Sequence, residues 1–244
     1  FDAADPQAGA MNRALAALVL LLAIAFALSP TLAGGFPGFS PTQFPVVQSR
    51  WPVQPVGWAF SIWGVIFLLL IAGAAYGLWR HRVDPAWQAM RGPLAVSLGL
   101  GAFWIMAAQW QPLLATAMIL VMAATAILAL LRAPGDLRAG APVGLYAGWL
   151  TAASGVATGA SLSGYGVVSA QAAALVMLSL LLVIASVVLW LRPSALAYAF
   201  GVGWACMGVI VANLEISNMP VIALASTGVA VVVAVPLLRR AGPA

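Results

Sequence analysis

Side chains able to carry chemistry are scarce in this chain, and their placement is the first constraint on function. There is one histidine, His81, within Arg80-His81-Arg82, one cysteine, Cys206, and five acids, Asp2, Asp5, Asp84, Asp136 and Glu215. A lone Cys206 excludes an intrachain disulfide and a multi-cysteine metal site. Ser154, Ser161 and Ser163 have no base at helical spacing, so no nucleophile–base pair is in view. Glu215 ends an apolar run in Asn213-Leu-Glu-Ile-Ser217-Asn218. An intramembrane acid is a functional candidate by default, but these polar neighbours read better as a hydrated turn. Ion pumping lacks its usual chain of Asp, Glu or His. Side-chain catalysis and metal binding are not expected.

Aromatic residues are the enriched class, with ten Trp. Trp79, Trp87, Trp110 and Trp190 fall at helix ends, where interfacial Trp belongs. Phe60, Trp63 and Phe67 lie within roughly a 60° arc of one helix. Trp51 and Trp58 sit just above them, and Phe103 and Trp104 follow on the next helix. Such a stripe is either core packing or the wall of a pocket for a flat apolar ligand. Further on, Gly144, Gly148, Gly155 and Gly159 share one helical face, and Gly73 and Gly77 form another small-xxx-small pair. These spacings imply close approach of neighbouring backbones, within one chain or across a dimer. Tyr146 and Trp149 point away from the glycine face.

The elements that hold these residues follow from composition. Of 244 residues 64% are hydrophobic and 6% charged, against about 25% charged in a soluble domain. The mean hydropathy is +1.07. The long apolar runs predict an all-α polytopic transmembrane bundle of about eight helices, near 12–33, 57–79, 92–109, 112–132, 141–161, 168–191, 195–213 and 218–238. Residues 34–56 form a loop rich in Pro, Phe and Gln. Residues 1–10 read as an N-terminal extension, a cloning remnant or a processed end, with no role in the fold. With the N-terminus inside, Arg13, Arg80, Arg82, Arg91, Arg132, Arg138, Arg192, Arg239 and Arg240 all fall on the inner side and Arg50 alone falls outside. This bias supports eight crossings with both termini cytoplasmic. The scattered Arg residues make no nucleic-acid stripe.

Pro55-Val-Gly-Trp-Ala-Phe-Ser-Ile-Trp63-Gly-Val-Ile-Phe67 resembles the second helix of the tryptophan-rich sensory protein (TspO/MBR, translocator protein) family. Leu145-Tyr146-Ala-Gly-Trp149-Leu-Thr-Ala-Ala resembles that family's fifth-helix Tyr-x-x-Trp segment, and Phe103-Trp104 with Trp110 is similar in character to its third helix. The chain departs from the short members at Gly101 and near Ala157, where they carry Asn, and in the loop form Trp51-Pro52-Val53-Gln54-Pro55. The resemblance implies a five-helix domain at 11–161. Residues 162–244 resemble the three-helix C-terminal extension of longer bacterial forms, with Gly-Val-Gly-Trp204 through Asn213 similar to their seventh helix.

The resemblance further implies a non-catalytic binding or sensory role for a tetrapyrrole or sterol-like molecule in a bacterial cytoplasmic membrane. Trp51, Phe60, Trp63, Phe67, Trp104, Tyr146 and Trp149 would wall the cavity, with the loop as a lid. The sole histidine lies outside the bilayer, so a non-covalent tetrapyrrole would bind without an axial His. The competing reading is an accessory subunit of a larger membrane complex, such as a pigment–protein assembly. A small-molecule transporter is a weaker third reading. Partners in these readings are lipid, the hydrophobic ligand, and a second copy or a larger complex.

Overall fold

The structure, a computed structural model, describes residues 6–35 and 38–241. Among them are eight α-helices: α1 Pro6–Leu32, α2 Ile62–Arg80, α3 Pro85–Trp110, α4 Pro112–Arg132, α5 Leu137–Gly164, α6 Ala170–Leu191, α7 Leu196–Leu214 and α8 Met219–Ala241. Two short 3-10 turns, Pro41–Gln43 and Gly57–Ser61, punctuate the segment between α1 and α2.

Several helices run past the apolar window that the hydropathy marks, and local chemistry explains where they start. The Asp84 side chain accepts the Ala86 N–H, with Pro85 at the first helical position, so α3 begins before Arg91 rather than after it. Asp136 caps α5 in the same way, through the Arg138 N–H. Residues 6–10 are the opening turns of α1 rather than a segment without a fold role; residues 1–5 lie outside the described residues. At the other end of α1, Gly34 and Gly35 both have positive φ, and the Gly35 N–H returns to Pro30 O at 2.7 Å. This left-handed turn stops the helix without a Cβ penalty.

Contacts across the bundle fix the direction of each helix. Gln88 near the start of α3 donates to Asn12 O on α1 at 3.0 Å. Arg91 Nη2 donates to Gly77 O, near the end of α2, at 2.9 Å. Arg138 on α5 reaches the Tyr76 hydroxyl at 2.6 Å. Arg192, just beyond α6, donates to Ala133 O at 2.7 Å, just beyond α4. Gly144 of α5 lies against Tyr198 of α7, and Arg239 of α8 sits 4.3 Å over the ring of Trp190. Arg13, Arg80, Arg82, Arg91, Arg132, Arg138, Arg192 and Arg239 therefore gather at one end. Arg50 is at the other, paired with Glu215 at 3.5 Å.

Two of the basic-end arginines close helix termini. Arg91, 2% exposed, donates to the carbonyls of Gly77, His81 and Arg82. These carbonyls cluster where α2 ends and the chain turns toward α3, so the guanidinium ties that turn together. Arg192 likewise gathers the carbonyls of Leu130, Ala133 and Pro134 where α4 ends, and its desolvation there lowers the guanidinium pKa. His81 donates to Asp84 at 2.9 Å, which holds that carboxyl below its usual range. Trp87 is not interfacial: it is buried, stacked on His81 at 4.8 Å. Trp79, Trp110 and Trp190 are exposed, as their positions at helix ends suggest.

Among the described residues, seven helices are long and apolar enough to cross a bilayer, and α5 is the exception. Yet α5 runs from the basic end to the loop end, a length of about 42 Å for its 28 residues. It packs on α2, α4, α6 and α7, so its Gly, Ser and Thr residues face protein. Gly148 lies on the Tyr198 carbonyl of α7, while Gly201 of α7 approaches Leu145 O and Trp149 N, where a Cβ would come within 2.9 Å. The α5 glycines serve three neighbours: Gly144 and Gly148 face α7, Gly155 faces Met177 of α6, and Gly159 lies against Val53 of the loop as well as Met177. On α2, Gly73 receives Pro142 and Gly77 receives Trp87.

Candidate functional site

The segment before α2 is pinned to three helices. Gln43 donates to Ala108 O on α3 at 2.8 Å. The Val46 N–H donates to Gly164 O at the end of α5 at 2.8 Å, and the Phe44 ring fills the space that Gly164 leaves. On α7, the Val56 N–H donates to Gly208 O at 3.1 Å and Asn213 Nδ2 donates to Pro52 O at 2.8 Å. Trp204 Nε1 donates to Ala59 O at 2.8 Å. The seventh helix thus fixes the approach to α2.

Beneath this segment lies a small apolar cavity of about 50 Å³ between α3, α4, α5 and the Gly57–Ser61 turn. Its walls include Phe60, Trp104, Ile119, Trp149 and the small residues Ala152, Ala153, Val156 and Ala157. Gly38, Phe39, Gln54 and Pro55 of the loop cover it, and Gln54 lies against Gly38. Pockets for drug-sized ligands typically hold about 300–1,000 Å³, so the site as folded is closed down. Trp104 spends its Nε1–H on Ala115 O at 2.8 Å. Trp149, 2% exposed, has a buried Nε1–H without a hydrogen-bond partner. Leaving a buried donor unpaired costs about 1–3 kcal/mol.

The sequence-derived wall divides into three groups. Phe60, Trp104 and Trp149 line the cavity. Trp63, Phe67 and Tyr146 do not; they form an aromatic cluster behind it. Trp63 stacks on Phe67 at 5.2 Å and meets Trp149 edge-on at 6.2 Å, and Phe60 meets Trp149 at 5.7 Å. Tyr146 is fully buried, 2.8 Å from Ser97 Oγ. Since Ser97 donates to Met122 O, the tyrosine hydroxyl donates to the serine. Trp51 packs on Phe44 at 5.7 Å and lines a separate outer cleft of about 370 Å³ with Arg50 and Asn213. Gln54 and Pro55 line both spaces. Phe103 and Trp58 face outward.

Phe26 of α1 belongs to the aromatic cluster although the sequence reading passed over it. It contacts Trp63, Phe67 and Tyr146 at 5.5, 5.1 and 6.0 Å. Gly101 makes its place: a Cβ there would come within 2.7 Å of the Phe26 ring. The departure at Gly101 is thus a slot for an aromatic ring. The available signal was that Phe26 is the only aromatic residue in α1.

Apolar helices of bilayer length, a belt of arginine at one end and a buried aromatic centre define a multi-span helical membrane protein. A family model described as TSPO-like protein matches residues 14–238, reaching from α1 into α8, and the chain belongs to that family. No curated protein and no solved structure matches the chain.

Proposed function

We propose that this protein is a non-catalytic membrane binding protein of receptor or sensory type, taking a flat hydrophobic ligand of the tetrapyrrole or sterol class. The observation that carries the reading is the covered apolar cavity with its unpartnered Trp149 Nε1–H. Aromatic faces at Phe60, Trp104 and Trp149 suit a flat apolar body, and the indole N–H suits one acceptor on it. The fit is one of chemistry; a macrocycle needs more room than the cavity has, so entry requires Gln54 and Phe39 to move outward. Residues 11–161 make up the ligand-holding unit in this reading, and 162–244 an extension whose α7 braces the loop.

Porphyrin titration, followed by Trp fluorescence quenching and absorbance, tests the proposal. Trp63→Ala removes the ring that supports Trp149 and is expected to weaken binding roughly 5- to 150-fold, equivalent to about 1–3 kcal/mol. His81→Ala is expected to leave it unchanged, because His81 sits at the basic end against Asp84 and Trp87. Binding lost in His81→Ala and kept in Trp63→Ala would overturn the site. A wild type that binds no porphyrin or sterol but co-purifies with other subunits would favour the accessory-subunit reading.

The proposed setting is the bacterial cytoplasmic membrane, with both termini and the basic end inside and α5 crossing like its neighbours. Reporter fusions after residues 45 and 165 should then read as periplasmic, and after 86 and 136 as cytoplasmic. A cytoplasmic signal at 165 combined with one at 136 would mean that α5 does not cross.

A further inference from the structure

We propose that the cleft between the end of α2 and the start of α5 binds the phosphate headgroup of an anionic phospholipid. This cleft, about 680 Å³, is lined by Tyr76, Trp79, Arg80, His81 and Arg138. It lies at the opposite end of the bundle from the aromatic cavity and is independent of the ligand proposed there.

The charges facing the cleft are unbalanced. Among the described residues the carboxylate contacts to basic side chains are the Arg50–Glu215 ion pair and the His81–Asp84 hydrogen bond. Among the described residues neither Arg80 nor Arg138 has a carboxylate within ion-pair distance. Asp84 is occupied by His81 and the Ala86 N–H, and Asp136 accepts the Arg138 N–H. Arg91 and Arg192, by contrast, spend their guanidiniums on helix-terminal carbonyls. Both cleft arginines are also held in place. Arg80 lies 4.1 Å over the Trp79 ring. Arg138 lies 4.8 Å over the Tyr76 ring and donates to its hydroxyl at 2.6 Å. That hydroxyl keeps its own hydrogen for an incoming oxygen. Two positioned guanidiniums and a phenol match a phosphodiester.

The surroundings favour a lipid as the source of the phosphate. The apolar span ends at Arg80, which places the cleft at headgroup depth. Below it, α2 exposes Leu68, Ala72, Ala75 and Trp79 at spacings of four, three and four residues. This exposed apolar face, with two small alanines between the larger side chains, suits contact with an acyl chain. No acid lines the cleft to attract a choline or ethanolamine group, so the site selects net negative headgroups.

Native mass spectrometry of the full chain in non-ionic detergent, with equimolar cardiolipin and phosphatidylcholine, tests this. The wild type is expected to retain cardiolipin preferentially. Arg80→Gln with Arg138→Gln should cut that preference roughly 25-fold, taking about fivefold per arginine. Arg50→Gln, at the other end, should leave it unchanged. Tyr76→Phe should lower it less than the double variant does. Equal retention of the two lipids by the wild type overturns the proposal without recourse to any variant, as does an unchanged preference in a folded double variant. Displacement of cardiolipin by inorganic phosphate at equal concentration would make free phosphate the ligand and also overturn it.

Discussion

Replacing Gly148 with leucine is expected to lower the thermal stability of the purified protein more than any other single change at the α5–α7 contact. A Cβ at Gly148 would meet the carbonyl of Tyr198, and Gly201 presses back on Leu145 O and Trp149 N from the other helix. Backbone meets backbone here, so no flexible side chain can swing aside. Overpacking a well-packed core typically costs about 1–3 kcal/mol, and a rigid contact of this kind belongs at the upper end. Gly155→Leu offers the comparison, since the nearest Met177 atoms lie at 3.8 Å and beyond. Thermal unfolding in detergent should show a large drop for Gly148→Leu and a smaller one for Gly155→Leu. Equal midpoints would show that the helices separate without consequence.

Trp149→Phe is expected to separate stability from binding. The indole is almost fully buried and its Nε1–H is unpaired. Truncation to alanine would open a void costing about 3–5 kcal/mol. Phenylalanine keeps a ring against Phe60 and Trp63 while deleting the unpaired donor, whose desolvation costs about 1–3 kcal/mol. That gain offsets the smaller ring, so the thermal midpoint should hold. Porphyrin affinity should nevertheless fall about tenfold, the value of one hydrogen bond of about 1.4 kcal/mol. A variant equal to wild type in affinity would remove Trp149 Nε1 from the recognition scheme.

The helices were legible because each apolar run had to be long enough for a bilayer, and because arginine marks one end of the bundle. The cap residues Asp84 and Asp136 were equally visible, but hydropathy alone started α3 and α5 too late. The site was harder. The spacing put Phe60, Trp63 and Phe67 on one helical face, but Phe60 falls in the 3-10 turn before α2, and a helix period does not say which neighbour a face meets. Phe60 turns toward Trp149 and the cavity, whereas Trp63 and Phe67 turn toward Phe26. Trp87 was misread for the same reason: Gly77 on another helix gives it space. The bracing of the loop by Asn213 and Trp204 joins residues about 150 positions apart, and no local pattern encodes it.

A growing chain meets the bilayer one segment at a time, and α5 is poorly equipped to enter lipid alone. Most of its serines and threonines bond carbonyls of their own helix, but Gly144, Gly148 and Gly155 find their packing partners only once α6 and α7 stand beside it. Thr151 donates to Ala147 O within α5 and also lies 3.2 Å from the Tyr198 hydroxyl, which belongs to a helix synthesised later. Packing of the centre must therefore wait for the periphery. A nascent chain halted before Tyr198 holds a middle helix with neither its glycine-facing partner nor its hydrogen-bond donor. Quality control in the cell would meet an unfinished α5 during every round of synthesis.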